Sequence, residues 1–165
     1  MAKHDNETLQ KEFEHELKDM LDAEQRLVEA LPKMAKAAEN DQLRQAFETH
    51  LHQTEGHVDR LASILESLDC EVKAVRCDGI RGIIAEGEKQ ISQNEKSAAR
   101  DAAIIGAAQK AEHYEIASYG TLCTWAKDLG YDDLIGPLQM TLGEEKEADT
   151  LLTRIAETRV NPTAI

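Results

Sequence analysis

Apolar residues recur along most of this chain at alternating steps of three and four, the spacing of one buried face of an α-helix. Asn6 and Thr8 are N-cap candidates for a first helix that stops around Pro32, with Leu17, Leu21, Glu24, Val28 and Leu31 as its stripe. Pro32 is expected to end or kink that helix, although Met34 to Ala38 could continue it. After a turn and cap at Asn40-Asp41, a second helix runs to about Leu68 on the stripe Leu43, Phe47, Leu51, Thr54, Val58, Leu61 and Leu65. The following stretch is the least periodic; Asp78-Gly79 and Gly82 mark turns or caps, and Ile80, Ile83 and Ile84 predict a short helix ending near Asn94. A third long helix occupies about 96–129, closed by Gly130 as a C-cap. The last begins around Asp132-Asp133, holds Pro137 in its first turns and reaches about Arg159, leaving 160–165 as a loose tail.

The connections carry the topology. The first two long helices are joined by a short turn, and so are the last two, so each pair is an antiparallel hairpin. The segment between the pairs is long enough to cross the length of a bundle. The expected architecture is all-α: one ferritin-like domain over 1–165, an antiparallel four-helix bundle whose crossover carries a short extra helix.

Composition narrows the class. Hydrophobic residues make up 41% and aromatics 4%, with three prolines, which favours helices over a sheet. A formal net charge of −13 argues against nucleic acid or an anionic membrane as a main partner. No apolar run reaches transmembrane length, and the polar opening Met1–Asn6 does not resemble a signal peptide. Cys70, Cys77 and Cys123 are odd in number and lack C-x-x-C spacing, which fits reduced thiols in a cytoplasm better than a disulfide framework.

The chemistry lies in the stripes. On the third long helix the stripe reads Ile105, Ala108, Glu112, Glu115, Tyr119, Leu122, and on the last Leu138, Leu142, Glu145, Asp149, Leu152, Ile155. With Glu24, five acids stand on three helices where apolar residues belong. Converging carboxylates in a low-dielectric interior repel one another unless protonated or neutralised. A metal ion, a Lys or Arg, or open solvent would each relieve them. Iron or manganese, hard ions suited to oxygen-rich shells, are the leading metals, in the dinuclear layout of a lone Glu from two helices and Glu-x-x-His from the other two.

Superposing the halves tests that layout: Ala23-Glu24 falls on Ala111-Glu112, and with Leu51 on Leu142, Thr54 meets Glu145. His57, three residues after Thr54, then takes the histidine position, whereas His50 stands a turn away, nearer the other layer of the bundle. Both lie about 60–80° to one side of the second helix's stripe, so a half-hydrated boundary position is the competing expectation. The expected ligands are Glu24, His57, Glu112, Glu115, Glu145 and Asp149, with His50 as the alternative to His57. Tyr114 and Tyr119 share a helix with the ligands and are either packing residues or redox neighbours.

Several blocks of the chain are similar to a known family: Asp22-Ala-Glu-Gln-Arg-Leu27, Ala30-Leu-Pro-Lys-Met-Ala-Lys-Ala-Ala38, Phe47-Glu-Thr-His-Leu51, Gly56-His-Val-Asp-Arg-Leu61, Ala111-Glu-His-Tyr-Glu-Ile-Ala117 and Glu144-Glu-Lys146. They resemble the YciE/YciF-like family of bacterial proteins over nearly the whole chain. The resemblance implies a ferritin-like, stress-associated, cytoplasmic bundle that forms a homodimer, with a rubrerythrin-like dinuclear site. Glu24, Glu112, Glu115, Glu145 and Asp149 match its acidic positions; where family members often carry an acid in the second helix, this chain has His52 or Gln53. The implied partners are metal ions and small oxidants. The implied role is handling oxygen, peroxide or metal, against the alternative of a non-enzymatic stress-response scaffold or binding module with a degenerate site.

Overall fold

The computed structural model describes residues 8–165; Asn6 as a cap and the opening segment Met1–Asn6 lie outside the described residues. Five helices carry the fold: α1 (Leu9–Ala37), α2 (Asp41–Ser67), α3 (Asp78–Gln93), α4 (Ala98–Asp128) and α5 (Asp132–Ile155). Side chains close the N-termini of α1, α2 and α4. Thr8 accepts from the Lys11 N–H, Asn40 from those of Gln42 and Leu43, and Ser97 from that of Arg100. Gly130, at φ +74°, makes the left-handed turn that ends α4.

Two expectations need correction. α1 does not end at Pro32 but continues to Ala37, because Leu31, Ala35 and Ala38 are buried against the second hairpin and their burial outweighs one lost helix hydrogen bond. The tail is not loose throughout: a π-helical turn, Ala156–Val160, follows α5 and buries Val160 against α4, and a 3₁₀ turn over Asn161–Thr163 succeeds it.

α1 packs on α2, α2 on α5, α5 on α4 and α4 on α1, closing a square bundle. Asp101, in the first turn of α4, accepts hydrogen bonds from the backbone N–H groups of Glu39 and Asn40 at 2.7–3.1 Å. The start of α4 therefore sits at the α1–α2 turn, which makes α4 antiparallel to α1 and every adjacent pair antiparallel. The crossover runs up the outside of α1, and α3 covers the α1–α4 seam. Asp22 fastens its lower end: the buried carboxylate accepts from the Cys77 N–H at 2.9 Å and from Arg81 and Arg26. Among the described residues no helix is long and apolar enough to cross a membrane.

The interior has three levels. A lower apolar cluster includes Phe13, Leu17, Leu61, Leu65, Ile80, Leu122 and Leu138. An upper one includes Leu31, Leu43, Phe47, Ile104, Ile105, Leu152 and Ile155. Between them lies a layer that is buried but polar.

Candidate metal centre

All four bundle helices build the polar layer: Glu24 from α1, His50, Thr54 and His57 from α2, Glu112, Glu115 and Tyr119 from α4, and Glu145 from α5. Glu24, His57 and Glu145 are 0% exposed, and His50 is 6%. One ligand atom each from His50, Glu112, Glu115 and Glu145 lie within 4.8 Å of one another, and the same holds for Glu24, His57 and Glu145. Glu145 belongs to both groups, so the layer offers two adjacent ion positions joined by one carboxylate.

The imidazoles are oriented from outside. His50 sets Nε2 inward, 3.3 Å from both Glu112 Oε1 and Glu145 Oε2, while its Nδ1 is 3.0 Å from Gln53 Oε1. His57 sets Nδ1 inward, 2.8 Å from Glu145 Oε1 and 3.4 Å from Glu24 Oε1, while its Nε2 is 2.9 Å from Glu144 Oε2. An amide or carboxylate oxygen only accepts, so each outer nitrogen carries a proton. The inner nitrogen is the one left to the layer, to share a proton with its carboxylates or to give its lone pair to a cation that displaces that proton. Arg60 holds Glu144 in turn, at 2.9 Å, and also donates to Thr141. Tyr119 donates its hydroxyl proton to Glu24 Oε1. Thr54, although central, spends its hydroxyl on the His50 carbonyl 2.9 Å away.

The carboxylates are poorly satisfied. Glu112 Oε2, both oxygens of Glu115 and both of Glu145 are buried without a well-formed hydrogen bond. Glu145 lies close to both imidazoles, but off the line such a bond requires. Titration follows from that crowding. Burial, and then the neighbouring Glu145 and Glu24, push the Glu112 and Glu115 carboxyls well above the usual carboxylate range. Burial also raises Glu24, against the pull of His57 and Tyr119. Glu145 goes the other way: burial alone would raise it, but His50 and His57 outweigh that and hold it ionised. Burial would lower His57, yet Glu145 and Glu24 push it up to about 10. Protons thus serve as the layer's counter-charge, and each position they fill is one a cation would take.

Glu24, His57, Glu112, Glu115 and Glu145 are brought together in this layer. Asp149 is not. One turn beyond Glu145 it has swung to the α4 flank, where Oδ2 is 3.2 Å from His113 Nε2 and Oδ1 is 3.1 Å from Gln109 Nε2. Sequence reasoning took His57 as the ligand and set His50 a turn away, with a hydrated boundary for both as the competing expectation; both are buried, on the two sides of Glu145. The buried face of α2 reads Leu43, Phe47, His50, Thr54, His57, Leu61 and Ile64, the same three-four rhythm turned by one residue. Leu51 and Val58 drew the stripe toward themselves, although they are only half buried. The seven-residue spacing of His50 and His57 was the available clue. Glu144, Gln53 and Arg60, which hold the rings, stand off the predicted stripes, so periodicity gave them no role. Of the two tyrosines, Tyr119 borders the layer, whereas Tyr114 bonds to Cys77 and Asp19 beneath α3.

Comparison with known proteins agrees with the fold. Residues 8–165 match the family described as "Domain of unknown function (DUF892)". Protein YciF of Escherichia coli K12 is 45% identical over 158 residues, 95% of either chain. The crystal structure of that E. coli stress protein superposes with a TM-score of 0.90 over 94% of this chain and 98% of that one. YcfI from Rhodopseudomonas palustris, 38% identical, reaches 0.88 over 93% and 98%. The Xanthomonas campestris protein XCC3681 shares the fold at 19% identity, with a TM-score of 0.74 over 93% and 94%. With the family match spanning every described residue and a relative this similar over 95% of its length, the chain belongs to the DUF892 family.

Proposed function

We propose that the buried layer is a dinuclear iron or manganese site and that this protein, like the stress protein YciF it resembles, serves in a stress response by handling oxygen, peroxide or the metal itself. One observation carries this reading: two imidazoles, each with its outer nitrogen engaged, face a set of buried carboxylates most of whose oxygens lack a well-formed hydrogen bond, and Glu145 is common to both sets. Nitrogen and oxygen donors in this ratio suit iron or manganese better than calcium or magnesium. His50, Glu112 and Glu115 would hold one ion, Glu24 and His57 the other, and Glu145 would touch both. When bound, such a pair supplies redox and Lewis-acid chemistry to a small oxidant. The chain's own part is to hold the donors still. Glu144 and Gln53 orient the rings, Tyr119 fixes Glu24, and the apolar clusters above and below exclude water. A cytoplasmic homodimer completes the proposal; the family resemblance supports it, and the unpaired Cys70, Cys77 and Cys123 fit a reducing compartment.

Elemental analysis of protein purified without added metal tests the site. About two iron or manganese ions per chain are expected, and a metal-free preparation that takes up neither ion on titration rejects it. A second reading has its own support. His57 lies 2.8 Å from Glu145 and the layer can neutralise itself with protons, as a metal-free bundle acting as scaffold or binding module would require. The same measurement separates the two.

A further inference from the structure

The two ion positions are not equally reachable, and this asymmetry deepens the metal reading on which it rests. A cavity of about 120 Å³ lies in the seam between α2 and α5. Its outer wall includes the exposed Thr49 and Glu147, and its inner wall includes the buried His50 and Glu112. It therefore leads from the surface to the donors of one ion position and is roomy enough for water. Ala46 on α2 and Ala148 on α5 line its sides, and their small side chains keep the seam open where Leu or Phe would close it. Gln53, on the same wall, is the residue whose amide oxygen meets His50 Nδ1, so its side chain stands both in the passage and on the ring. Glu147 adds an acid at the rim that favours an arriving cation. Glu24 and His57, by contrast, expose no surface and do not line this cavity. We propose that this α2–α5 seam is the port through which a divalent transition-metal cation reaches the layer, arriving at His50 and Glu112 and passing inward across Glu145.

Stopped-flow loading of cobalt(II) into the full chain, freed of metal by chelator and followed by ligand-field absorption, tests the port. Ala148→Phe, and from the opposite wall Ala46→Leu, are expected to slow loading by about tenfold or more, because the seam must then open before binding. Final stoichiometry and cobalt spectrum should match wild type in both. Val28→Phe, in the separate groove between α1 and α2, is the control and should load at the wild-type rate. Circular dichroism melts identify any variant that has lost the bundle, and the port then stands or falls on the other wall. Wild-type rates in a folded seam variant, or equal slowing by Val28→Phe, overturn the port while leaving the metal site intact. A wild-type chain that takes up no cobalt(II) overturns both.

Discussion

Two sets of buried carboxylates in this bundle look alike in a burial profile and behave oppositely. Asp22 and Asp101 are 4% and 1% exposed, yet their oxygens are met by donors: Cys77 N–H, Arg81 and Arg26 for the first, the Glu39 and Asn40 N–H groups for the second. Burial alone would raise Asp22, but these donors outweigh it and hold the carboxyl below its ordinary value. Glu112, Glu115 and Glu145 are as deeply buried, and most of their oxygens lack a hydrogen bond. Asp22 ties the crossover to α1 and Asp101 ties the two hairpins to each other, and their chemistry is complete within the chain. The glutamates are incomplete without protons or a cation. An unsatisfied buried polar group costs about 1–3 kcal/mol, more when charged, so a cluster of them calls for protons, water or an ion as its counterpart.

The largest effect should come from the residue common to both ion positions. Glu145→Ala is expected to weaken binding of both ions by at least about a hundredfold, exceeding the usual effect of losing an outer partner, while the chain remains helical. Glu112→Ala should act mainly on the His50 position. Isothermal titration with manganese(II) checks this, and wild-type stoichiometry in Glu145→Ala would erase the contrast between the two sets. Asp101→Ala tests the other half. It leaves two backbone N–H groups without their charged acceptor and should cost about 2–4 kcal/mol of stability, read as a lower denaturation midpoint, with metal stoichiometry unchanged.

The two sets also differ in how stability responds to pH. His57 has its folded pKa raised to about 10 from 6.5, so its contribution is complete below 6.5 and is lost as pH climbs toward 10. Glu112 and Glu115 act in the same sense, because raised carboxyl pKa values favour the folded state only while the groups are protonated. The metal-free protein should therefore melt at falling temperature from pH 6.5 upward, and His57→Gln should flatten that slope. Asp22 has the opposite sign: its folded pKa is lowered, so its contribution is lost on acidification. Metal-loaded protein should depart from the metal-free profile, because ligand binding displaces the protons and affinity rises with pH. Superimposable melts with and without manganese(II) across this range would count against a cation in the layer.

Much of this was legible from residue spacing, and the failures share a cause. Helix number, the two short turns, the crossover helix ending near Asn94 and the acids on α1, α4 and α5 follow from periodicity and caps, which are local. Pro32 was misjudged because what carries α1 past it is burial of Leu31, Ala35 and Ala38 by other helices. The phase of α2 was misjudged for a related reason. This helix touches α1 on one side and α5 on the other, so its buried face follows the partners rather than the most apolar residues. His50 and His57 face inward although Leu51 and Val58 are more hydrophobic, a local conflict of the kind expected where function overrides packing. Asp149 failed from the reverse error: it continues the α5 rhythm, but Gln109 and His113 draw it to the flank.

The smallest predicted effect concerns the residues no spacing rule could find. Glu144 is only partly buried, yet it is the acceptor that keeps the His57 proton on Nε2 and leaves Nδ1 to the layer. His57 and Arg60 hold its carboxyl below the usual range, although burial alone would raise it, so it stays an acceptor at neutral pH. Glu144→Ala removes that acceptor without touching an inward-facing donor. The ring is then free to rotate or to place its proton on Nδ1, and binding at the Glu24–His57 position should weaken by about tenfold, the low end for an outer partner of a metal-bound histidine. Glu144→Gln retains an acceptor oxygen and should recover most of the loss. The His50 position, oriented by Gln53 instead, should be unaffected, so manganese(II) titration of Glu144→Ala should resolve one weakened and one unchanged step. Equal weakening of both steps would mean that Glu144 acts through the stability of the α2–α5 seam, by way of Arg60 and Thr141, and not through the imidazole.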